Sequence, residues 1–315
     1  MATDQASWAP LPHRRLLALL ACGAVIENIS LKSTELEHAL SADLQPDAAR
    51  PELIAILRWA ARPVTGAPEP LAGAIGARHT NRRFYRRGAA DAATLRSLQS
   101  AAAAVAGCEL RWLDDPTRRS QALKAIRIAE TERFRRPALH AELFGAVRFD
   151  AGWRQSTDEW LAPAALEVEA PARPLFTLLR DWRFMRVARL FGAHIAFGLR
   201  AGYLPCALAP HLGLVLADEH DEGVANLNAG RAFQRLWLAA ATEGLALQPM
   251  AAATALARQA TGNGWVSAAT QDELRCLLGQ LREGSRGQPY ILFRLGHARA
   301  PSVVSERKPL HYYVS

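Results

Sequence analysis

Two stretches of the chain, GAVIENISLKSTELEHAL at 23–40 and GRAFQRLWLAAATEGLAL at 230–247, can be laid over one another without a gap. Gly23 then falls on Gly230, Ile26 on Phe233, Ile29 on Leu236, Leu31 on Leu238 and Leu40 on Leu247. Both carry the apolar spacing of a helix, and helices this apolar need a core to bury them. The shared spacing fits an internal repeat. It also fits two unrelated buried helices, because any such pair has it.

The rest of the chain supplies that core. Half of the 315 residues are apolar and 22% are charged, the balance of a globular protein. The formal net charge is +8, which favours anionic ligands without choosing among them. Cys22, Cys108, Cys206 and Cys276 form no C-x-x-C pair, and all four read as buried free thiols of a reducing compartment. The cleanest apolar run, 16–26, is too short to span a bilayer, and no signal peptide is visible. The expectation is a cytoplasmic protein.

Residues 14–40 read as helix, 53–61 as a strand and 62–75 as a Pro-rich linker. Asp91 is placed to cap a helix over the following fourteen or so residues, and 109–115 reads as a strand. Residues 118–148 give helix, 149–175 lack periodicity, and 175–192 read as one basic amphipathic helix. A strand at 212–218, a long helix at 229–244 ended by Gly244 and a last strand at 290–296 complete the pattern. Helices dominate and strands are few, which predicts an α+β fold with one sheet packed by helices.

Common nucleotide and catalytic signatures are absent. GAIG at 73–76 and GNG at 262–264 are only fragments of a G-x-G-x-x-G loop, and neither a Walker A loop nor a G-x-S-x-G elbow occurs. The nine histidines show no metal-ligand spacing, so no metal is expected. Acidic clusters at 157–159 and 217–222 read as solvated loop charge.

The segment ARHTNRRFYRRG at 77–88 is different, with five arginines in twelve residues. In an extended chain Arg78, Thr80 and Arg82 alternate onto one side, where two guanidiniums and a hydroxyl can grip one anion. A solvated basic loop accounts for the same charge. Nucleic-acid binding would need aromatic groups interleaved with the arginines, and only Phe84 and Tyr85 are near. No nucleic-acid partner and no membrane partner is expected.

Three stretches resemble the flavin-dependent nitroreductase family: 77–102, with its R-x-T-x-R-x-F opening; 228–250, like the family's central helix and the Gly-Leu turn after it; and 289–310, like its last core strand and basic tail. The RHTNRR spelling and residues 175–192 are similar to the Acg-like branch, which is also found fused to ThiF-like adenylating domains. That branch resembles a nitroreductase dimer joined into one chain. The resemblance therefore implies a central, mostly antiparallel sheet packed by helices, as a pseudo-dimeric fusion of two related halves. Residues 1–70 would be a partial first half and 71–315 a second half carrying the cofactor motif. The A-P-S-x-x-N-x-Q-P-W segment usual in the first half is not found here.

The resemblance further implies FMN as cofactor. Arg78, His79, Thr80 and Arg82 would meet its phosphate and ribityl chain, with Arg307 and Lys308 adding charge. Met250 would lie near the ring, and a backbone N–H of Ala251 or Ala252 would face flavin N5. NAD(P)H would reduce the flavin, and a small-molecule or peptide acceptor would reoxidise it. A homodimer or a partner chain would complete the pocket. The other reading is a catalytically degenerate flavin-binding or partner-binding relative, working with an adenylating enzyme in peptide or small-molecule modification.

Overall fold

A computed structural model describes residues 12–63, 67–218, 220–258, 265–308 and 311. The chain opens with a long helix, α1 (Pro12–Glu35), then a hairpin of β1 (His38–Leu44) and β2 (Ala55–Pro63). A short 3₁₀ turn at Pro70–Ala74 leads into the arginine segment. Next come α2 (Ala92–Ala103), β3 (Cys108–Trp112), α3 (Pro116–Arg135) and α4 (Pro137–Gly145). A largely helical cover follows, with α5 (Arg173–Leu178), α6 (Trp182–Ala188), α7 (Ala193–Gly198) and α8 (Leu204–Ala207). The chain then returns through β4 (His211–Ala217), α9 (Glu222–Thr242), β5 (Ala246–Pro249), α10 (Ala252–Ala257), α11 (Ala268–Leu281) and β6 (Gln288–Gly296).

The main sheet has the order β3-β4-β6-β5, every neighbour antiparallel. β4 is buried along its whole length. Val215 and Ala217 join one core with α2 and α9, while Leu212, Leu214 and Leu216 join another with α3, α10 and α11. A sheet buried on both faces needs largely apolar strands, and β4 and β6 have them apart from His211, Gln288 and Arg294. The fold is α+β, as expected, although β1 and β2 form a second, two-stranded sheet where one sheet was expected.

α1 and α9 cross in close contact, and the crossing depends on two glycines. A Cβ on Gly23 would sit 2.1 Å from the Leu227 carbonyl oxygen, and one on Gly230 would sit 2.1 Å from the Leu20 carbonyl oxygen. The two contacts mirror each other in the register that lays Gly23 on Gly230. That register also lays the last residue of α1, Glu35, on the last of α9, Thr242. It lays Glu37, at φ 56°, on Gly244, at φ 66°, and each of these left-handed residues leads into a strand. The likeness thus runs through helix, turn and strand, beyond shared apolar spacing. Buried Glu27 of α1 ties the crossing, receiving Arg231 at 2.9 Å and Arg235 at 2.8 Å from α9.

Several expected elements are corrected. The helix expected to reach Leu40 stops at Glu35, because the left-handed Glu37 turns the chain into β1. The strand after Gly244 was not anticipated; four residues are too few for a periodic signal. The single helix expected over 175–192 is broken. Asp181 accepts from the Arg183 N–H and starts α6 anew, and a 3₁₀ turn at Arg189–Phe191 ends it. Cys276 is exposed, unlike buried Cys22 and Cys206. The apolar run near the N-terminus belongs to a longer helix. Arg14–Glu35 is long and apolar enough to cross a membrane, and half of its most apolar window is buried within the protein.

Candidate functional site

The arginine segment, 78–90, has neither helix nor strand and is pinned by its neighbours. The Asn81 backbone N–H donates to the Leu247 carbonyl of β5 at 3.2 Å. Its side chain donates to the Arg299 carbonyl at 2.8 Å and accepts the Arg83 N–H at 3.0 Å. Fully buried Arg294 of β6 adds a second latch. It donates to Gln248 Oε1 at 2.8 Å and to the Arg83 carbonyl at 2.9 Å, and lies 3.9 Å over the Tyr85 ring. Asn81 and Arg294 hold the site's backbone, and neither was singled out from sequence. An asparagine in a basic run and an arginine inside an apolar strand were the available signals.

Arg78 lies over the Trp237 ring of α9, 4.3 Å from its centroid. Its Nε is buried without a hydrogen-bond partner, and among the described residues no carboxylate pairs with it. Burial, and then the charge of Arg307, push its pKa down to about 10. Arg307 donates to the Ile75 carbonyl at 3.2 Å. Two guanidiniums from distant parts of the chain thus come near enough for one to act on the other, and among the described residues neither pairs with a carboxylate.

Arg82 takes another direction. It donates to the Ala165 carbonyl at 3.3 Å and faces a cavity of ≈ 410 Å³. Burial, and then the charge of Arg133, push its pKa down to about 10. The cavity lies between α3, the helical cover and the turn from β5 into α10. That turn brings Met250, Ala251 and Ala252 to the same wall system as Arg82. Phe134, Phe176, Phe197, Leu166 and Leu256 supply apolar surface. The other lining charges are compensated: Glu130 pairs with Arg133 at 3.1 Å, Glu169 with Arg200, and Glu142 with Arg14 at 3.2 Å. Arg82 is the lining cation that forms no ion pair among the described residues, although the charge of Glu130 reaches it. Among the described groups, no acceptor receives the backbone N–H of Ala251 or Ala252, whereas Met250 N–H is bonded to the Leu292 carbonyl at 2.7 Å.

Arg78, Arg307 and the remaining expected residues lie outside the cavity lining. His79 Nδ1 is 2.8 Å from the Ala77 carbonyl, Thr80 is half-buried, and Lys308 pairs with Glu159. The sequence reading missed Glu130 and Arg133, which sit one helical turn apart on α3; their i, i+3 spacing was a usable signal. It also missed that 149–175, without periodicity, supplies the cavity's Leu161, Leu166, Val168 and Glu169. Among the described residues no cluster of His, Cys, Asp and Glu could hold a metal ion.

No family model matches the chain. An uncharacterized protein of Mycobacterium tuberculosis (strain CDC 1551 / Oshkosh) is 28% identical over 238 residues, covering 74% of this chain and 33% of that protein. The chain thus spans about a third of the length of the curated relative it matches. Among solved structures, it is similar to a nitroreductase with bound FMN from Bacteroides fragilis, at 14% identity and TM-score 0.43 over 76% of this chain and 95% of that one. It is similar to an FMN-bound nitroreductase from Desulfitobacterium hafniense, at 13% identity and TM-score 0.42, over 77% and 96%. An FMN-dependent nitroreductase from Mycobacterium smegmatis, in complex with NADPH, gives 18% identity and TM-score 0.39 over 77% and 95%. With TM-scores of this size, the architecture rests on the strand order and helix packing described above.

Proposed function

We propose that this chain is an FMN-binding oxidoreductase of nitroreductase type, related to the Acg-like branch, using NAD(P)H and an organic acceptor. The observation that carries the reading is the meeting of Arg78 and Arg307. A buried guanidinium nitrogen without a partner, beside a second guanidinium, suits a phosphate dianion. The other features agree. Arg82 and the Met250–Ala252 turn line one largely apolar cavity of ≈ 410 Å³, within the range of small-molecule sites. The N–H groups of Ala251 and Ala252, unpartnered among the described residues, can donate to a ring heteroatom.

Bound flavin supplies two-electron redox chemistry between NAD(P)H and the acceptor. The chain's own residues bind and orient. Arg78 and Arg307 neutralise the phosphate, and Trp237 holds the Arg78 plane in place. Arg82 places positive charge in the cavity, where it would stabilise negative charge on a bound flavin ring. The aromatic and aliphatic cover excludes water. We further read residues 1–70 and 71–315 as two related halves, an assignment supported by the mirrored Gly23 and Gly230 contacts.

A titration of the protein with FMN and with riboflavin, followed by fluorescence quenching, tests the phosphate assignment. A charge-assisted contact is worth about 1.5–3 kcal/mol, so FMN binds at least about tenfold more tightly than riboflavin. Arg78→Gln removes most of that preference. Equal affinity for the two ligands in the unaltered protein contradicts the assignment.

A second reading has one observation in its favour: Arg78 and Arg82 lie in different surroundings instead of one cradle. On that reading the chain holds a flavin or a partner without turnover, beside an adenylating enzyme. Flavin bound but not reduced by NADH or NADPH supports it.

A further inference from the structure

The helical cover carries a surface that the proposed redox site does not use. Between Ala170 and Pro210, apart from Arg200, which lines the cavity and pairs with Glu169, the charged residues are Arg173, Arg180, Arg183, Arg186 and Arg189 against one acid, Asp181. Much of the chain's basic excess is therefore concentrated in this one part. The same part exposes Leu175, Leu178, Phe184, Val187, Leu190, Phe191 and Ile195. Phe184, Val187 and Phe191 recur at helical spacing along the turn from Trp182 to Phe191, so they share a face. Leu190 at 78% and Phe191 at 87% exposure protrude into solvent. Arg183 is 84% exposed and, among the described residues, pairs with its neighbour Asp181. Arg180 lies over the Phe149 ring, and Arg186 is exposed; among the described residues neither pairs with a carboxylate.

We propose that this face docks on an anionic lipid surface, with Leu190 and Phe191 inserted at the level of the headgroups and the arginines against lipid phosphates. Protruding apolar side chains ringed by arginines are the composition of an interfacial element, which lies on a bilayer without spanning it. Charge decides against the other occupant of a self-complementary face. Pairing two copies through it would set arginine against arginine, with Asp181 alone to compensate. The proposal departs from the sequence expectation of no membrane partner, which rested on the lack of a spanning segment.

The test is co-sedimentation of the full chain with sonicated vesicles of phosphatidylglycerol or of phosphatidylcholine. The expected result is pelleting with phosphatidylglycerol and none with phosphatidylcholine, falling severalfold as salt rises from about 50 mM to about 500 mM. Leu190→Ser with Phe191→Ser abolishes pelleting, and Arg183→Gln with Arg186→Gln weakens it several-fold. These side chains are exposed, so circular dichroism and melting temperature stay as in the unaltered protein. Three outcomes overturn the proposal. One is no pelleting on phosphatidylglycerol at low salt. Another is equal pelleting by the Leu190→Ser, Phe191→Ser variant. The third is a lipid-free dimer that this variant dissolves, which assigns the face to a second copy.

Discussion

At the scale of single residues, the account turns on guanidiniums in unusual surroundings. Arg78 and Arg82 both have their pKa pushed down to about 10, burial being the larger cause in each. Charged Arg78 is the form that binds phosphate, so affinity is full near neutral pH and is lost as pH rises through about 10. An exposed arginine keeps its charge to beyond about 12. FMN affinity measured from pH 7 to 10.5 checks this; no fall before the protein unfolds contradicts it. Arg294 acts differently, as a latch whose hydrogen bonds reach Gln248 and Arg83. Arg294→Leu leaves buried acceptors unpaired and costs about 2–3 kcal/mol in denaturant melts. The arginine run itself stood out in the sequence. Its division into two surroundings did not, because alternation assumes an extended strand, and Asn81 and Arg294 hold this segment in an irregular path.

At the scale of elements, the α1–α9 crossing and the turns that follow each helix make opposite predictions for similar residues. A methyl group on Gly230 has to displace the Leu20 backbone, so Gly230→Ala destabilises by about 2 kcal/mol or more. Gly244 and Glu37 occupy the same left-handed place after their helices. Gly244→Ala therefore costs about 1 kcal/mol, while Glu37→Gly stabilises by up to about 1 kcal/mol. Thermal melts of the two variants should move in opposite directions. The likeness of the two helices was legible because burial imposes a periodic pattern on long segments. β1 was missed because it follows its helix closely, within reach of an apparent helical continuation, and β5 because four residues carry no period. The helix expected over 175–192 failed for a local reason: Asp181 competes for the backbone as a cap, and periodicity alone does not register a cap.

At the scale of the whole molecule, a two-sided core fixes the sheet, and the sheet brings together segments that are far apart in sequence. β5 sets the Met250–Ala252 turn beside Arg82, and the chain beyond β6 brings Arg307 back to Arg78. The α+β class was legible from the ratio of helix to strand. The cavity was not, since five of its lining residues, Leu161, Leu166, Val168, Glu169 and Ala172, come from 149–175, where the sequence shows no period. Proposed as a flavin site, it has one most direct measurement: the visible absorption spectrum of the purified protein, with the released chromophore identified after denaturation. The account predicts flavin absorbance and FMN at about one per chain, either as purified or after incubation with FMN and removal of the excess. A colourless protein that takes up no FMN contradicts it.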